Sequence, residues 1–230
     1  MVCLGAASAF GGVITSTTTA VGTSYTAVIG NNNVLASDLT NSFVLVNFSD
    51  GSQANCTFGN GTGACFNFGN FSLTVTPFNG QTSSDTWTIF NQKAPGTWIT
   101  TMDINVLVGT QPIGFDNGSI VGITSGIGAG TSPASAAALL QDAIHLSGQP
   151  TSPAPEYARL ILTFTTAAGS RLDGFQTFGF GAANHNITSF TPDPISAPEP
   201  ATYALVGLAF AGFGMLKFKR RRFRRVVVYF

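Results

Sequence analysis

The sequence has few of the residues that usually carry out catalysis. Its only histidines are His145 and His185, and they lie far apart in the chain. A catalytic nucleophile needs a base within hydrogen-bond reach and a group that orients that base, so few arrangements are available. Neither a G-x-S-x-G nor an H-E-x-x-H motif occurs. The glycine-rich segment 126–130 lacks the third spaced glycine and the acidic residue of a dinucleotide site, which favours a flexible loop.

Carboxylates are also scarce before residue 198. Glu156 is the only glutamate there, and the aspartates form no convincing local pair of the kind that glycosidases use. Carboxylates from distant strands can still meet in space, so a hydrolase remains a less favoured alternative. Calcium ligation by turn aspartates also remains open for Asp50, Asp116 and Asp173, although no EF-hand or nonapeptide pattern is present. We predict a protein without enzymatic activity, with no catalytic residues, no cofactor and no metal site.

Charged residues make up only 9% of the chain, well below the usual quarter. The formal net charge of zero conceals two unequal regions. Residues 1–197 carry three basic against nine acidic residues, a net charge of −6, whereas residues 198–230 carry seven basic residues against Glu199, a net charge of +6. An acidic body repels nucleic acid and anionic lipid, so we expect no nucleic-acid partner.

The end of the chain combines a short motif, an apolar run and a basic cluster. Pro198, Glu199 and Pro200 precede the segment Ala201–Leu216, which contains no charged residue. As a helix, Ala201–Phe218 would be roughly 27 Å long, close to the ~30 Å hydrocarbon core of a bilayer. Basic residues after such a span favour the cytoplasmic side, with the body outside. The basic residues are Lys217, Lys219, Arg220, Arg221, Arg222, Arg224 and Arg225.

This tripartite end resembles the PEP-CTERM sorting signal of bacterial exported proteins. The resemblance covers residues 198–225 and rests on Pro-Glu-Pro-Ala-Thr, on Leu205-Val206-Gly207-Leu208-Ala209 and on the arginine-rich end. It implies membrane insertion, recognition and cleavage by an exosortase, a membrane cysteine transpeptidase, and delivery to the cell envelope, surface or extracellular matrix. A plain membrane anchor is the alternative. Residues 226–230 extend beyond the usual basic end.

The beginning of the chain carries part of an export signal. Residues 1–9 end in Ala7-Ser8-Ala9, an A-x-A cleavage pattern, but they lack a basic n-region. We expect them to be the remnant of a signal peptide whose true start lies upstream. The alternative is that Met1 opens the first strand of the mature fold.

Cys56 and Cys65 flank a turn-rich segment that contains the hairpin dipeptide Asn60-Gly61. In an exported chain, two cysteines this close predict a disulfide that closes a short hairpin. Closing a loop of about ten residues is worth roughly 2–3 kcal/mol. A metal site is disfavoured here because no histidine lies nearby.

Alternation of apolar and polar residues predicts strands throughout residues 10–190. In the clearest run, Trp98–Val108, every second residue from Trp98 shares one face. We expect a mainly β fold, a β-sandwich or jelly roll of about eight to ten strands, followed by a linker at residues 191–197. The other predicted strands are 42–48, 70–77, 85–91, 119–123, 159–166 and 174–180.

One segment breaks the alternation. Between Ser132 and Gly148, apolar residues recur at helical spacing, with a possible cap at Ser132 and a glycine stop. These apolar residues are Ala136, Leu139, Leu140, Ala143 and Ile144. The spacing predicts a single amphipathic helix packed across one end of the sandwich or along one sheet.

Taken together, these features predict an exported, non-enzymatic surface or extracellular-matrix protein. A carbohydrate-binding module of an exopolysaccharide matrix is the alternative. It predicts exposed aromatic side chains on one sheet face, with Trp87, Trp98 and Tyr157 as the candidates. The competing interpretation of the tryptophans is that they pack in the core.

Overall fold

The computed structural model describes residues 12–20, 22–29, 34–76, 86–109, 111–122, 134–147 and 156–192. All of them belong to the first of two units of the chain, whose boundary falls after Asp193. The start of the chain (1–9), the motif Pro198-Glu199-Pro200, the apolar segment and the basic cluster therefore lie outside the described residues. Within the described ranges, no helix is long and apolar enough to cross a membrane.

The described residues form fourteen strands and confirm a mainly β fold. Several strands are too short to show an alternating pattern, which is why there are more than we predicted. In chain order they are β1 (Val13–Thr19), β2 (Tyr25–Ile29), β3 (Phe43–Phe48), β4 (Gln53–Thr57), β5 (Ala64–Asn67), β6 (Phe71–Thr76), β7 (Thr86–Asn91), β8 (Ile99–Asn105), β9 (Ile113–Asp116), β10 (Val121–Gly122), β11 (Ser135–Leu146), β12 (Glu156–Phe164), β13 (Thr177–Gly181) and β14 (Asn184–Pro192).

These strands form two sheets. The larger sheet has nine strands in the order β1-β11-β2-β14-β9-β12-β8-β3-β4, and the smaller sheet has five in the order β10-β13-β7-β6-β5. Most neighbouring strands are antiparallel, but β11 pairs in parallel with both β1 and β2. Strands β4 and β5, which follow each other in the chain, are therefore edge strands of different sheets.

Buried apolar residues of both sheets form one main core. The predicted inward faces are confirmed for β6 and for β12, whose alternate residues are buried there. Trp87 of β7 is fully buried, and its ring lies 5.5–6.1 Å from the rings of Phe58, Phe115 and Phe180. The confirmed inward residues are Phe71, Leu73, Val75, Leu160, Leu162 and Phe164.

The predicted helix after Ser132 is wrong, because residues 135–146 form the long strand β11. Ala136, Ala138 and Leu140 are buried at a spacing of two, so the alanine- and leucine-rich sequence fits both periods. Helix propensity favours these residues by only tenths of a kcal/mol each, whereas β11 has hydrogen-bonded neighbours on both sides. Asp142 has a φ of 60°, and beyond it the consecutive residues Ala143 and Ile144 are both buried. Ser132 and Gly148 lie outside the described residues.

Cys56 and Cys65 lie at disulfide distance, as predicted, with Cα atoms 5.7 Å apart. The predicted hairpin is wrong, because Cys56 belongs to β4 of the larger sheet and Cys65 to β5 of the smaller one. The turn between them uses Gly61 and Gly63 at φ values of 67° and 56°. The disulfide therefore links the edges of the two sheets.

Five strands of the larger sheet also pair into a closed ring. Going round it, β11 pairs with β2, β2 with β14, β14 with β9, β9 with β12, and β12 again with β11. A second, smaller core is built mainly from residues of these strands. It contains Ala27, Leu107, Ile144, Ala158 and Ile187, with Tyr25 and Phe190 packed against them.

Candidate functional site

The smaller core adjoins a carboxylate and an imidazole. Glu156 begins β12 and pairs across the strands with Ile144 of this core, and His185 lies on β14. The Glu156 side chain is only 2% exposed and that of His185 is 20% exposed. Nδ1 of His185 and Oε1 of Glu156 are 2.5 Å apart, but the contact lacks the alignment of a hydrogen bond. The two side chains are therefore in direct polar contact.

The middle strand, β9, allows this contact. His185 pairs in register with Gly114 of β9, and Glu156 pairs with Asp116 at the end of the same strand. A Cβ atom at Gly114 would lie 2.9 Å from the Glu156 Cβ and 3.0 Å from its Oε2. A larger residue at Gly114 would occupy the space where the carboxyl group sits.

Burial controls the ionisation of this pair. Removal from water raises the pKa of Glu156 to about 7, an effect that the nearby His185 opposes and Asp116 reinforces. The contact with Glu156 raises the pKa of His185, against the effect of burial, and Asp116 raises it further. Both groups therefore hold protons more tightly here than they do in water.

Glu156, unlike His185, is almost entirely removed from solvent. A general acid or base must come within hydrogen-bond reach of its substrate. The Glu156 carboxyl group is almost completely enclosed, and its Oε2 has no hydrogen-bond partner among the described residues. The pair does connect β12 to β14 across β9.

The aromatic residues expected on a binding face are mostly buried. Trp87 is fully buried and Tyr157 is nearly so, and both belong to the main core, so these two side chains do not have the exposure that the carbohydrate-binding alternative requires. Trp98 is half-buried, with the Arg171 guanidinium 4.2 Å from its ring centroid. The core-packing interpretation therefore holds for Trp87.

The turn aspartates form local structural contacts. Asp50 accepts hydrogen bonds from Ser52, and Asp173 accepts them from the backbone of Gly96 and Gly174. Asp173 also forms an ion pair with Arg171 at 2.8 Å. Among the residues that the structure describes, no three potential metal ligands cluster together.

An exposed aromatic pair lies elsewhere, at the edge of the smaller sheet. Phe66 of β5 is 50% exposed and Phe68, in the following turn, is 86% exposed. Their rings are stacked, with centroids 6.2 Å apart and planes 10° from parallel. Sequence reasoning missed this pair, although two phenylalanines two residues apart, next to Asn67 and Gly69, were the available signal.

The comparisons with known proteins concern the C-terminal segment. Residues 196–222 match the family described as the PEP-CTERM protein-sorting motif, which confirms the resemblance seen there. This motif implies an exported protein that an exosortase-type enzyme processes and sorts to the cell envelope or surface. Searches against curated proteins and against solved structures gave no significant match.

Proposed function

We propose that this chain is an exported component of the cell surface or extracellular matrix and that it acts without catalysing a reaction. The observation that carries the proposal is the sorting motif at residues 196–222, which follows a β-rich body. The disulfide distance between Cys56 and Cys65 supports it, because disulfides persist in oxidising compartments outside the cytosol. The scarcity of charge on the chain is also in keeping with an exported matrix component.

The polar contacts of the body support a non-enzymatic role. Arg159 binds Asp103 through two nitrogens, and Arg171 binds Asp173, so both pairs hold strands or turns in place. Glu156 and His185 face each other in a nearly closed environment. These groups are engaged in folding contacts.

Sorting is tested by cell fractionation. An epitope tag inserted in the exposed turn at residues 166–169 detects the body in each cell fraction. The native chain is compared with a Pro198→Ala/Pro200→Ala variant. We expect the native body outside the membrane in a shortened form, and the variant full-length in the membrane fraction. Pro194→Ala is the matched control, because this proline lies outside the matched residues.

In cells that lack the exosortase, we expect the native chain to remain full-length in the membrane fraction, as the motif variant does. Full-length protein in the cytoplasm of both kinds of cell would overturn the proposal. The non-enzymatic part has its own test, which is incubation of the purified protein with chromogenic glycosides and esters. Turnover that disappears in Glu156→Gln would overturn that part alone.

A further inference from the structure

Phe66 and Phe68 are held in solvent by a well-ordered turn. The Asn70 side chain donates to Oδ1 of Asn67 at 2.7 Å, and its backbone N–H donates to the Asn67 carbonyl at 3.0 Å. Gly69 adopts a φ of 78°, and its N–H donates to Oε1 of Gln92 at 2.9 Å. The Asn67 side chain also reaches the carbonyl of Asn55 on β4, at 2.7 Å. The turn is thus fixed to both sheets, and it presents the rings rather than burying them.

Among the described residues, the strands beside these rings carry no charged side chain. Along the register of β5, β6, β7, β13 and β10, the outward residues alternate with the core residues on the other face. Phe66 lies on this face. It pairs with Ser72 of β6, and Ser72 in turn pairs with Phe90 of β7. Ala64, Ser72, Gly179 and Gly181 of this face are buried between their neighbours. The side chains that reach solvent, fully or in part, are Phe66, Thr74, Thr76, Thr86, Thr88, Phe90, Val121 and Thr177.

The outer face of the larger sheet differs. It carries the ion pair between Arg159 and Asp103, and a hydrogen-bonded row that runs from Gln53 through Asn47 to Thr101. A polyanion or a basic peptide would find a charged partner there and none on the smaller sheet. The smaller sheet therefore suits a ligand that is itself uncharged.

We propose that the outer face of the five-stranded sheet, with Phe66 and Phe68 at its edge, binds a neutral polysaccharide. Sugar rings expose C–H faces that pack on aromatic rings, whose faces carry partial negative charge. Threonine hydroxyls both donate and accept hydrogen bonds, which matches the hydroxyl groups of a sugar chain. A fixed aromatic pair also costs less ordering on binding than a mobile one. This inference rests on the proposed function, since it names the matrix component that the exported body would contact.

The test measures binding of the purified full chain by affinity electrophoresis. Native gels contain dextran, hydroxyethyl cellulose or, as an acidic comparison, alginate. We expect retardation in at least one neutral gel, with the dissociation constant raised by roughly 5-fold to 150-fold in Phe66→Ala/Phe68→Ala, since each ring contributes separately. Retardation by alginate should be absent.

Phe43→Ala is the matched control, because Phe43 is also exposed, at 37%, but lies on β3 of the larger sheet. Its binding should equal that of the native chain. Thermal unfolding of each variant establishes that it is folded. No retardation in either neutral gel, or equal retardation of the native chain and the Phe66/Phe68 variant, would overturn the inference.

A second copy of the chain is the competing occupant of this face. Sedimentation would reveal it as a dimer that the Phe66→Ala/Phe68→Ala variant dissociates, and that result without sugar binding would also overturn the inference. Because binding is measured on purified protein, it is separate from export. A chain that is sorted but does not bind refutes this inference alone, and a chain that binds but is not sorted refutes the proposed function.

Discussion

The main core and the smaller core of the body bury different chemistry. The main core centres on Trp87 and its aromatic neighbours, and among the described residues it contains only uncharged side chains. The smaller core is bordered instead by Glu156 and His185, which can gain or lose protons. Stability that comes from the main core should therefore be indifferent to pH, whereas stability that comes from the ring of five strands should depend on it.

The largest expected effect is the loss of unfolding free energy when the main core loses the side chain of Trp87. Trp87→Ala should lower the free energy of unfolding by about 3–5 kcal/mol, because it empties a fully buried site. Trp87→Phe should cost much less, since it keeps a ring and removes an indole N–H that has no hydrogen-bond partner in the described residues. Urea unfolding at two pH values measures both losses. A loss for Trp87→Ala that changes with pH would break the distinction between the cores.

The next effect tests the smaller core. The pKa of Glu156 is raised in the folded protein from 4.5 to about 7, so the folded state binds this proton more tightly than the unfolded chain does. The resulting stability is complete below the unfolded value and is lost as the pH rises through about 7. A shift of this size is worth about 3 kcal/mol. The raised pKa of His185 acts with the same sign, above its ordinary value of 6.5.

Urea unfolding from about pH 5 to about pH 8 should therefore show falling stability for the native chain and a much flatter profile for Glu156→Gln. Asp116→Asn removes a nearby negative charge that raises the pKa of Glu156, so it should move the fall to lower pH. The lowered pKa values of Asp50 and Asp173 act only under more acidic conditions, where their contribution is lost as the pH falls. A native profile that rises with pH would contradict this account.

A third effect measures how firmly the two sheets are joined. Cys56→Ala/Cys65→Ala should reduce the free energy of unfolding by roughly 2–3 kcal/mol, because the linkage restricts a short loop of the unfolded chain. Treating the native protein with a reductant should give a similar loss and leave the double variant unchanged. If the reductant destabilised both proteins equally, the linkage would not be the cause.

The smallest expected effect concerns a partly exposed ion pair, in contrast to the buried contact between Glu156 and His185. Arg159 and Asp103 are partly exposed on the larger sheet, with Nε 2.8 Å from Oδ1. Asp103→Asn should cost no more than about 1 kcal/mol, and high salt should weaken the pair. The pH profile attributed to Glu156 should be much less sensitive to salt, because that group is buried. Thermal unfolding at low and high salt measures both.

The strand faces were predictable where alternation was long and strict. Phe71, Leu73 and Val75 are buried as expected, since a strand with one buried face requires that period. The nearness of Cys56 and Cys65 followed from their short spacing. Strand β11 was not predictable, because its alanines and leucines satisfy both the helical and the extended period, and only its neighbours decide between them.

The contact between Glu156 and His185 could not be read from the sequence. The two residues lie on strands that meet only through β9, and nothing local to either residue indicates the partner. Only the carbohydrate-binding alternative required Trp87 and Tyr157 to be exposed, and large aromatic residues also fill cores. The exposed pair, Phe66 and Phe68, depends on a turn whose hydrogen bonds reach Gln92 and Asn55.

Because Cys56 and Cys65 form a disulfide, export of this protein should precede the completion of its covalent structure. Reducing conditions inside the cell keep thiols free, so a newly made body would leave the ribosome with its two sheet edges not yet bonded to each other. Oxidation would follow passage across the membrane. The compartment that receives the protein therefore provides the oxidising conditions for this bond. A copy that stayed in the cytosol would lack the bond and would be less stable.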